Sequence, residues 1–244
     1  MIKKLLGKLI YKETYSEDTF VNFLNKNGVS VGKNTCFFDP RTTFIDVNRG
    51  NYIKIGANCK ITSGVRIVAH DYSWSNLIDS NKVIYPSGGK HVEIGDNVFI
   101  GVNTTIIGPV KIGNNVIIGA GSLVCKDLPD NTVCAGNPAR VIKSMDEYVK
   151  KAKETMLENL YDDVDVFIAK NHRFPSMTEC GGGRYAVLFM DKTEENWQWY
   201  ASTVSLKGVN LESARGAFMS TEKVFESYDE FRNGYEKSRK ERGK

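Results

Sequence analysis

The amino-acid sequence has little of what marks several large classes of protein. Its five cysteines show no CxxC or CxxH spacing, so a zinc finger is excluded, and reduced thiols in a cytosolic protein are the simplest interpretation. No segment approaches the ~20 apolar residues of a membrane-spanning helix. The net charge of +4 over 244 residues gives no indication of a nucleic-acid partner. What remains is a globular chain with 41% hydrophobic residues, enough for one large domain or two small ones.

What the sequence does contain is a column of branched residues at intervals of six. Neither the 3.6-residue period of a helix nor the two-residue period of a strand gives this interval. It predicts an all-β solenoid over residues 29–143, with three short strands in each coil, the column on the axis, and Gly or Asn at the corners, where a positive φ costs little. The members are Ile55, Ile61, Ile67, Ile94, Ile100, Ile106, Ile112, Ile118 and Val124.

The column is interrupted once. The member after Ile67 should be residue 73, yet the phase resumes only at Ile94. The chain therefore leaves the coil over residues 71–91 and re-enters it in register. Because a solenoid coil gains nothing from an inserted loop of this length, we expect the loop to be functional. His70 lies at its root.

Both ends of the chain are predicted to be helical. In the N-terminal segment 1–28, residues 1–12 place their apolar side chains on one face, and they lack the cleavage site of a signal peptide. They either pack on the open end of the solenoid or lie on an anionic lipid surface. A second short helix should end at Gly28. The C-terminal extension 144–244 opens with a capping box, Ser144–Glu147, and is predicted to be mainly helical, with a strand over Arg184–Met190.

The repeats resemble a known enzyme family. The segments IGANCKITSGVRIVAHDYSW and VEIGDNVFIGVNTTIIGPVKIGNNVIIGAGSLVCKDLPDNTVCAGNPARVI are similar to the hexapeptide-repeat acyltransferases. The nearest branch is that of the sugar O-acetyltransferases of capsular or O-antigen polysaccharide, with the maltose, galactoside and nodulation-factor acetyltransferases as relatives. The similarity covers about residues 53–143. It implies a left-handed parallel β-helix, a homotrimer, and acetyl-CoA as the donor.

Transfer of an acetyl group from a thioester to a sugar hydroxyl needs a base, and histidine suits that role at cellular pH. His70 is the candidate because it ends the coil before the loop, where the related enzymes carry their catalytic histidine, and because Asn or Gly holds its position in other hexads. Asp71 either orients the imidazole or anchors the loop. Asp46, one irregular coil earlier, could meet His70 or the acceptor. Tyr72 and Trp74 form either a platform for a sugar ring or simple loop packing.

The donor site is assigned from the resemblance alone. In the family, CoA lies in a groove between neighbouring coils of two subunits. Phe99 matches an aromatic position beside the thiol end. Lys126 and Arg140 match basic residues near the phosphates and adenine. The pantetheine arm would contact Gly101, Val102, Gly119 and Ala120.

The sequence therefore predicts a cytoplasmic, acetyl-CoA-dependent O-acetyltransferase for a sugar hydroxyl of a surface polysaccharide or its precursor. The alternative is an acyltransferase for an amino-sugar amine or an antibiotic hydroxyl, which the same histidine would serve. No metal is expected, because His70, His91 and His172 lack the spacing of zinc ligands. A structural or ice-binding solenoid would show ladders of repeated threonine, which are missing here. Contact with the inner face of the membrane through residues 1–12 is left open.

Overall fold

The structure is a computed structural model that describes residues 10–241. In that range, no helix combines the length and the apolar character needed to cross a membrane. The chain divides into two compact units at the boundary between Val149 and Lys150. Of the predicted amphipathic segment 1–12, residues 1–9 lie outside the described residues. A short 3₁₀ helix, Lys12–Thr14, begins at the last residue of the segment.

The first complete helix, Glu17–Lys26, precedes the first strand. Its start is fixed by Ser16, whose hydroxyl accepts a hydrogen bond from the backbone N–H three residues later. The helix ends before Gly28, which adopts a φ of +88°, as predicted. Its buried face brings Phe20 edge-on to Phe37 of the first coil, with ring centroids 5.1 Å apart. The helix therefore covers apolar side chains at the beginning of the strand region.

Short strands run through three parallel sheets in turn, as the six-residue period predicts. Each sheet takes every third strand, in the orders β1-β4-β7-β10, β2-β5-β8-β11 and β3-β6-β9-β12. One passage through all three sheets takes 18 residues, since Val92 pairs with Val110. The strands are β1 (Ser30–Val31), β2 (Cys36–Phe37), β3 (Phe44–Ile45), β4 (Ile53–Ile55), β5 (Lys60–Ile61), β6 (Arg66–Val68), β7 (Val92–Ile94), β8 (Phe99–Ile100), β9 (Thr105–Ile107), β10 (Val110–Ile112), β11 (Ile117–Ile118) and β12 (Leu123–Val124).

The branched column forms the core of these coils. None of its members from Ile55 to Val124 is more than 2% exposed. Parallel pairing places equivalent members opposite one another, for example Ile61 opposite Ile100. Burial of each such side chain stabilises the fold by about 1.5–3 kcal/mol. The regular spacing of the column is therefore also what fixes the register between coils.

Asparagines occupy one place of the hexad at the corners and stack on one another. Their φ angles lie between +55° and +58°, a region that Asn tolerates better than most residues. The Asn97 side chain donates to Asn115 (3.0 Å), and Asn115 donates to Asn131 (2.9 Å). A glycine follows five of the nine column residues and has another purpose: a Cβ on Gly95 would lie 2.7 Å from the Gly113 carbonyl oxygen of the next coil. Asn103 has the same φ at the next corner, and the asparagines that share one corner are Asn34, Asn58, Asn97, Asn115 and Asn131.

The loop over residues 71–91 leaves the coil without disturbing it. β4 pairs directly with β7, with Ile55 opposite Ile94. The loop ends meet where the Lys90 N–H donates to the Ala69 carbonyl (2.8 Å). Inside the loop the chain forms a 3₁₀ turn, Ser73–Ser75, and a short helix, Asn76–Asn81. The predicted re-entry in register is confirmed.

A hairpin that the sequence pattern did not indicate follows the last coil. It consists of β13 (Thr132–Gly136) and β14 (Ala139–Ser144), paired antiparallel, and β13 continues the sheet of β11. After it, Ser144 and Glu147 form the predicted capping box: the Ser144 N–H donates to the Glu147 carboxylate (2.7 Å), and the Glu147 N–H donates to the Ser144 hydroxyl (3.2 Å).

The second unit is helical, as expected, but it lacks the predicted strand over Arg184–Met190. The amides of Phe189 and Met190 both donate to the carbonyl of Ala186. These local hydrogen bonds form turns and leave the two amides unable to pair with a neighbouring strand. The unit packs its helices around an apolar cluster that includes Leu160, Phe231 and Tyr235. The helices of this region are Met145–Asn171, the 3₁₀ run Cys180–Leu188, Glu194–Thr203, Leu211–Ser220 and Tyr228–Glu241.

Substitution of a corner asparagine tests whether the positive φ of the corner explains the choice of residue there. Both Asn115→Gly and Asn115→Ala remove the bonds to Asn97 and Asn131, but only alanine is strained at a φ of +56°. We expect the alanine variant to be less stable than the glycine variant by about 1 kcal/mol. Urea unfolding followed by circular dichroism measures the difference, and equal midpoints with equal slopes would contradict the explanation.

The cysteines give a chemical test of the packing. Cys36, Cys59, Cys134 and Cys180 are buried, whereas Cys125 is exposed, and burial raises the pKa of the Cys180 thiol to about 12. At pH 8 the native protein should therefore take up one iodoacetamide adduct per chain, and all five thiols should react in guanidinium. Mass spectrometry counts the adducts. Cys125→Ser is the control and should take up none while folded; rapid labelling of that variant would contradict the buried positions.

Candidate active site

The parallel pairing of β3 with β6 brings two polar residues together. His70 and Asp46 both follow the strands that pair Ile45 with Ile67. The Asp46 carboxylate oxygen Oδ2 lies 2.5 Å from His70 Nδ1 and 3.2 Å from the backbone nitrogen of Ala69. The Asp46 side chain is 2% exposed and that of His70 46% exposed. A buried carboxylate thus holds an imidazole whose other edge faces solvent.

This contact determines which nitrogen of His70 is free. A carboxylate accepts hydrogen bonds, so Nδ1 carries the proton that it donates to Asp46. In the neutral ring, the lone pair is then on Nε2. Nothing in the described range 10–241 hydrogen-bonds to Nε2. The imidazole is therefore oriented to accept a proton from a group in solvent or from a ligand.

The position of His70 departs from that of the corner asparagines. It holds the same place in its hexad as Asn97, but it does not share the positive φ of the asparagine column. The reason is that the chain leaves the coil here, so the tight corner is not formed. The backbone instead continues into the loop, and Asp46 supplies the side-chain contact that orients the ring.

Asp71 anchors the loop and makes no hydrogen bond to the imidazole. Its carboxylate accepts from the Ser73 N–H (2.9 Å), and its carbonyl accepts from the Ser87 hydroxyl (2.7 Å). The hydrogen bonds from Ser73 lower the pKa of the Asp71 carboxyl below its ordinary value. Of the two alternatives for Asp71, the geometry matches loop anchoring, and the residue beside the imidazole is Asp46.

A pocket of about 450 Å³ opens in front of His70. Tyr72 and Trp74 meet edge to face on its wall, with ring centroids 5.4 Å apart. Sequence reasoning missed Arg49 and the loop residues opposite, because the coil before β4 is irregular and assigns no place to them. The pocket is lined by Asn48, Arg49, His70, Asp71, Tyr72, Trp74, Pro86, Ser87 and Gly88.

The residues assigned to the donor gather at a different corner. Gly101 stacks under Ala120 so closely that a Cβ on Gly101 would lie 2.5 Å from the Ala120 nitrogen. Gly119 likewise approaches Ala135, which pairs with Arg140 in the hairpin. This corner joins the sheet of β8 to the sheet of β9. His70 instead stands where the chain leaves β6, between the sheets of β9 and β7.

The remaining donor candidates lie on the surface around these coils. Phe99 is 38% exposed and Val102 44% exposed, and Lys126 is exposed in the segment after β12. Phe99 and Tyr148 line a second pocket of about 350 Å³. Across residues 10–241, no group of three or more His, Cys, Asp or Glu side chains is arranged to hold a metal ion.

The tautomer of His70 is directly testable. Asp46→Ala removes the acceptor of the Nδ1 proton, so the population with the proton on Nδ1 should fall relative to the wild type. Long-range ¹H–¹⁵N correlation spectra of protein labelled at histidine report the tautomer, and His70→Gln assigns the signal. Asp71→Ala is the matched control and should leave the signal unchanged. A His70 signal insensitive to Asp46→Ala would refute the assignment.

Comparison with known proteins places the chain in a family. Residues 91–126 match the family model for bacterial transferase hexapeptide (six repeats). Protein CapG of Staphylococcus aureus is 42% identical over 63% of this chain and 84% of its own length. The galactoside O-acetyltransferase of Escherichia coli (strain K12) is 30% identical over 59% of this chain and 80% of its own length.

Among solved structures, a maltose O-acetyltransferase from Clostridium difficile 630 is 33% identical, with a TM-score of 0.39, over 58% of this chain and 83% of that one. The sequence identities to CapG and to the galactoside enzyme extend over most of those proteins' length. The chain therefore belongs to the hexapeptide-repeat transferase family, and it is an acyl-CoA-dependent acetyltransferase.

Proposed function

We propose that the protein transfers the acetyl group of acetyl-CoA to a hydroxyl of a sugar, in a surface polysaccharide such as capsule or O-antigen or in its precursor. The observation that carries the proposal is the contact between Asp46 and Nδ1 of His70, a residue that lines the same pocket as Tyr72 and Trp74. Aromatic rings of this kind offer an apolar face to a sugar ring. Relatives named as galactoside and maltose O-acetyltransferases support a sugar hydroxyl as the acceptor.

In the proposed mechanism, His70 Nε2 takes the proton of the acceptor hydroxyl as the oxygen attacks the thioester carbonyl. The imidazolium that forms is stabilised by the Asp46 carboxylate at Nδ1. The tetrahedral intermediate collapses, the carbon–sulfur bond breaks, and the leaving thiolate of CoA receives the proton from His70. The products are the acetyl ester and CoA, and no covalent enzyme intermediate forms. Holding both substrates together supplies about 7–11 kcal/mol of the barrier.

The proposed donor groove requires more than one chain. Gly101, Val102, Gly119 and Ala120 would line the pantetheine arm, with Phe99 beside the thiol end and Lys126 and Arg140 near the phosphates. Because this groove and His70 belong to different corners of one coil stack, the thioester of a donor bound there meets the histidine of a neighbouring chain. This separation supports a homotrimer of left-handed β-helices. Five cysteines without a disulfide support a cytoplasmic location.

The proposal is tested by the release of free CoA thiol from acetyl-CoA with a panel of sugars and amino sugars. His70→Gln keeps an N–H donor for Asp46 but has no base, so kcat should fall at least ~10²-fold while CoA still binds. Asp46→Asn should lower kcat by on the order of 10-fold or more, because the imidazolium loses its counter-charge. His172→Asn, on an exposed residue with a φ of +55°, is the matched control.

Two outcomes would contradict the proposal. Turnover unaffected by His70→Gln would move the base elsewhere. An amino sugar that is acetylated on nitrogen faster than every hydroxyl acceptor would support the alternative acyltransferase, and mass spectrometry of the product after mild alkali distinguishes an ester from an amide.

A further inference from the structure

We propose that the acceptor sugar carries an anionic group, a carboxylate or a phosphate ester, and that the guanidinium of Arg49 binds it. The inference rests on the proposed function, because it concerns the acceptor that occupies the pocket beside His70. It names the class of sugar that the site selects.

The backbone that positions Asp46 also positions Arg49. The 3₁₀ segment Val47–Tyr52 follows Asp46 directly, and the Arg49 N–H donates to the Asp46 carbonyl (3.1 Å). Arg49 and His70 line the same pocket of about 450 Å³, a size typical of small-molecule sites. The backbone of Arg49 is therefore fixed one turn of chain after Asp46, and its side chain reaches the pocket that His70 lines.

The charge of Arg49 is not neutralised by the protein around it. Its side chain has no ion pair or hydrogen bond to any residue between 10 and 241. The carboxylates of this region have other partners. Asp46 accepts hydrogen bonds from His70 and Ala69, and Asp71 accepts one from Ser73. The pKa of the Asp71 carboxyl is lowered mainly by the hydrogen bonds from Ser73 and further by the charge of Lys90, and Arg49 is not among the causes.

A planar guanidinium with free donors matches a carboxylate or phosphate in two-pronged geometry. A neutral sugar needs no such charge, since the aromatic wall of Tyr72 and Trp74 and the hydrogen bond to His70 would already hold it. The donor does not require Arg49 either. Its thioester must lie beside His70, and its phosphates are then a whole pantetheine arm away from this pocket. The anion beside Arg49 therefore belongs to the acceptor.

The test compares matched acceptors that differ in one group: galactose with galacturonic acid, glucose with glucuronic acid, and each hexose with its 6-phosphate. For the wild type, kcat/KM should favour the anionic member of a pair. Arg49→Gln should lower the ratio of anionic to neutral kcat/KM by about 10- to 100-fold, the size of a charge-assisted hydrogen bond. Arg49→Lys should restore part of the ratio. The uronate and phosphate arms identify which anion is recognised.

Arg41→Gln is the matched control, because Arg41 is an exposed arginine of the same unit that pairs with Asp39 and does not line the pocket. Binding of each acceptor is measured beside the rates by saturation-transfer NMR. A wild type that binds uronates or sugar phosphates better than hexoses through Arg49, yet transfers no acetyl group, supports this inference and contradicts the proposed function.

Three results would overturn the inference. The first is a ratio that Arg49→Gln leaves unchanged. The second is a wild type that binds neutral and anionic partners equally. The third is a rise in KM for acetyl-CoA in Arg49→Gln with no change in acceptor preference, which would assign the guanidinium to the donor.

Discussion

The stacking of one branched column determines where the other residues of the coils lie. Because Ile45, Ile67 and Ile106 lie opposite one another in neighbouring coils, residues at equivalent places are brought to the same edge whatever lies between them in sequence. Asp46 comes one residue after Ile45 and His70 three residues after Ile67, so the pairing of these two isoleucines brings their side chains within reach of each other. The buried places of the coils are the column and the position two residues before it, such as Val98 and Val116, so the exposed positions and the corners are free to carry polar groups. Stability and chemistry thus depend on separate sets of residues.

The long loop illustrates the same separation. It can leave the coil because β4 and β7 pair as if it were absent, and the bond from Lys90 to Ala69 closes its base. The entropy of closing a loop grows slowly with its length. Once the base is fixed, the loop therefore adds a pocket wall at small cost to the coil. Its own bonds, from Ser73 and Ser87 to Asp71, then shape that wall.

The sequence predicts whatever follows from the six-residue period: the parallel sheets, the buried column, the asparagine corners and the re-entry at Ile94. It predicts His70 because that residue breaks the corner pattern. It cannot choose between Asp46 and Asp71, since Asp46 lies in an irregular coil with no assigned place, and only the pairing of β3 with β6 decides which carboxylate reaches the ring. The sequence does not predict Arg49 as a pocket residue for the same reason, because it lies in that irregular coil. The prediction of a strand over Arg184–Met190 is wrong because a short apolar run fits either a strand or helical turns.

The contact between Asp46 and His70 constrains both partners. An ionised carboxylate that is 2% exposed is costly unless its oxygens accept hydrogen bonds. Here the Ala69 N–H and the His70 Nδ1–H provide them. The imidazole therefore stabilises the carboxylate in the resting protein, while the carboxylate selects the tautomer of the neutral ring whose lone pair is on Nε2. The orientation that the proposed chemistry requires is also the one that satisfies the buried carboxylate, so in the proposed mechanism the site is preorganised before either substrate binds.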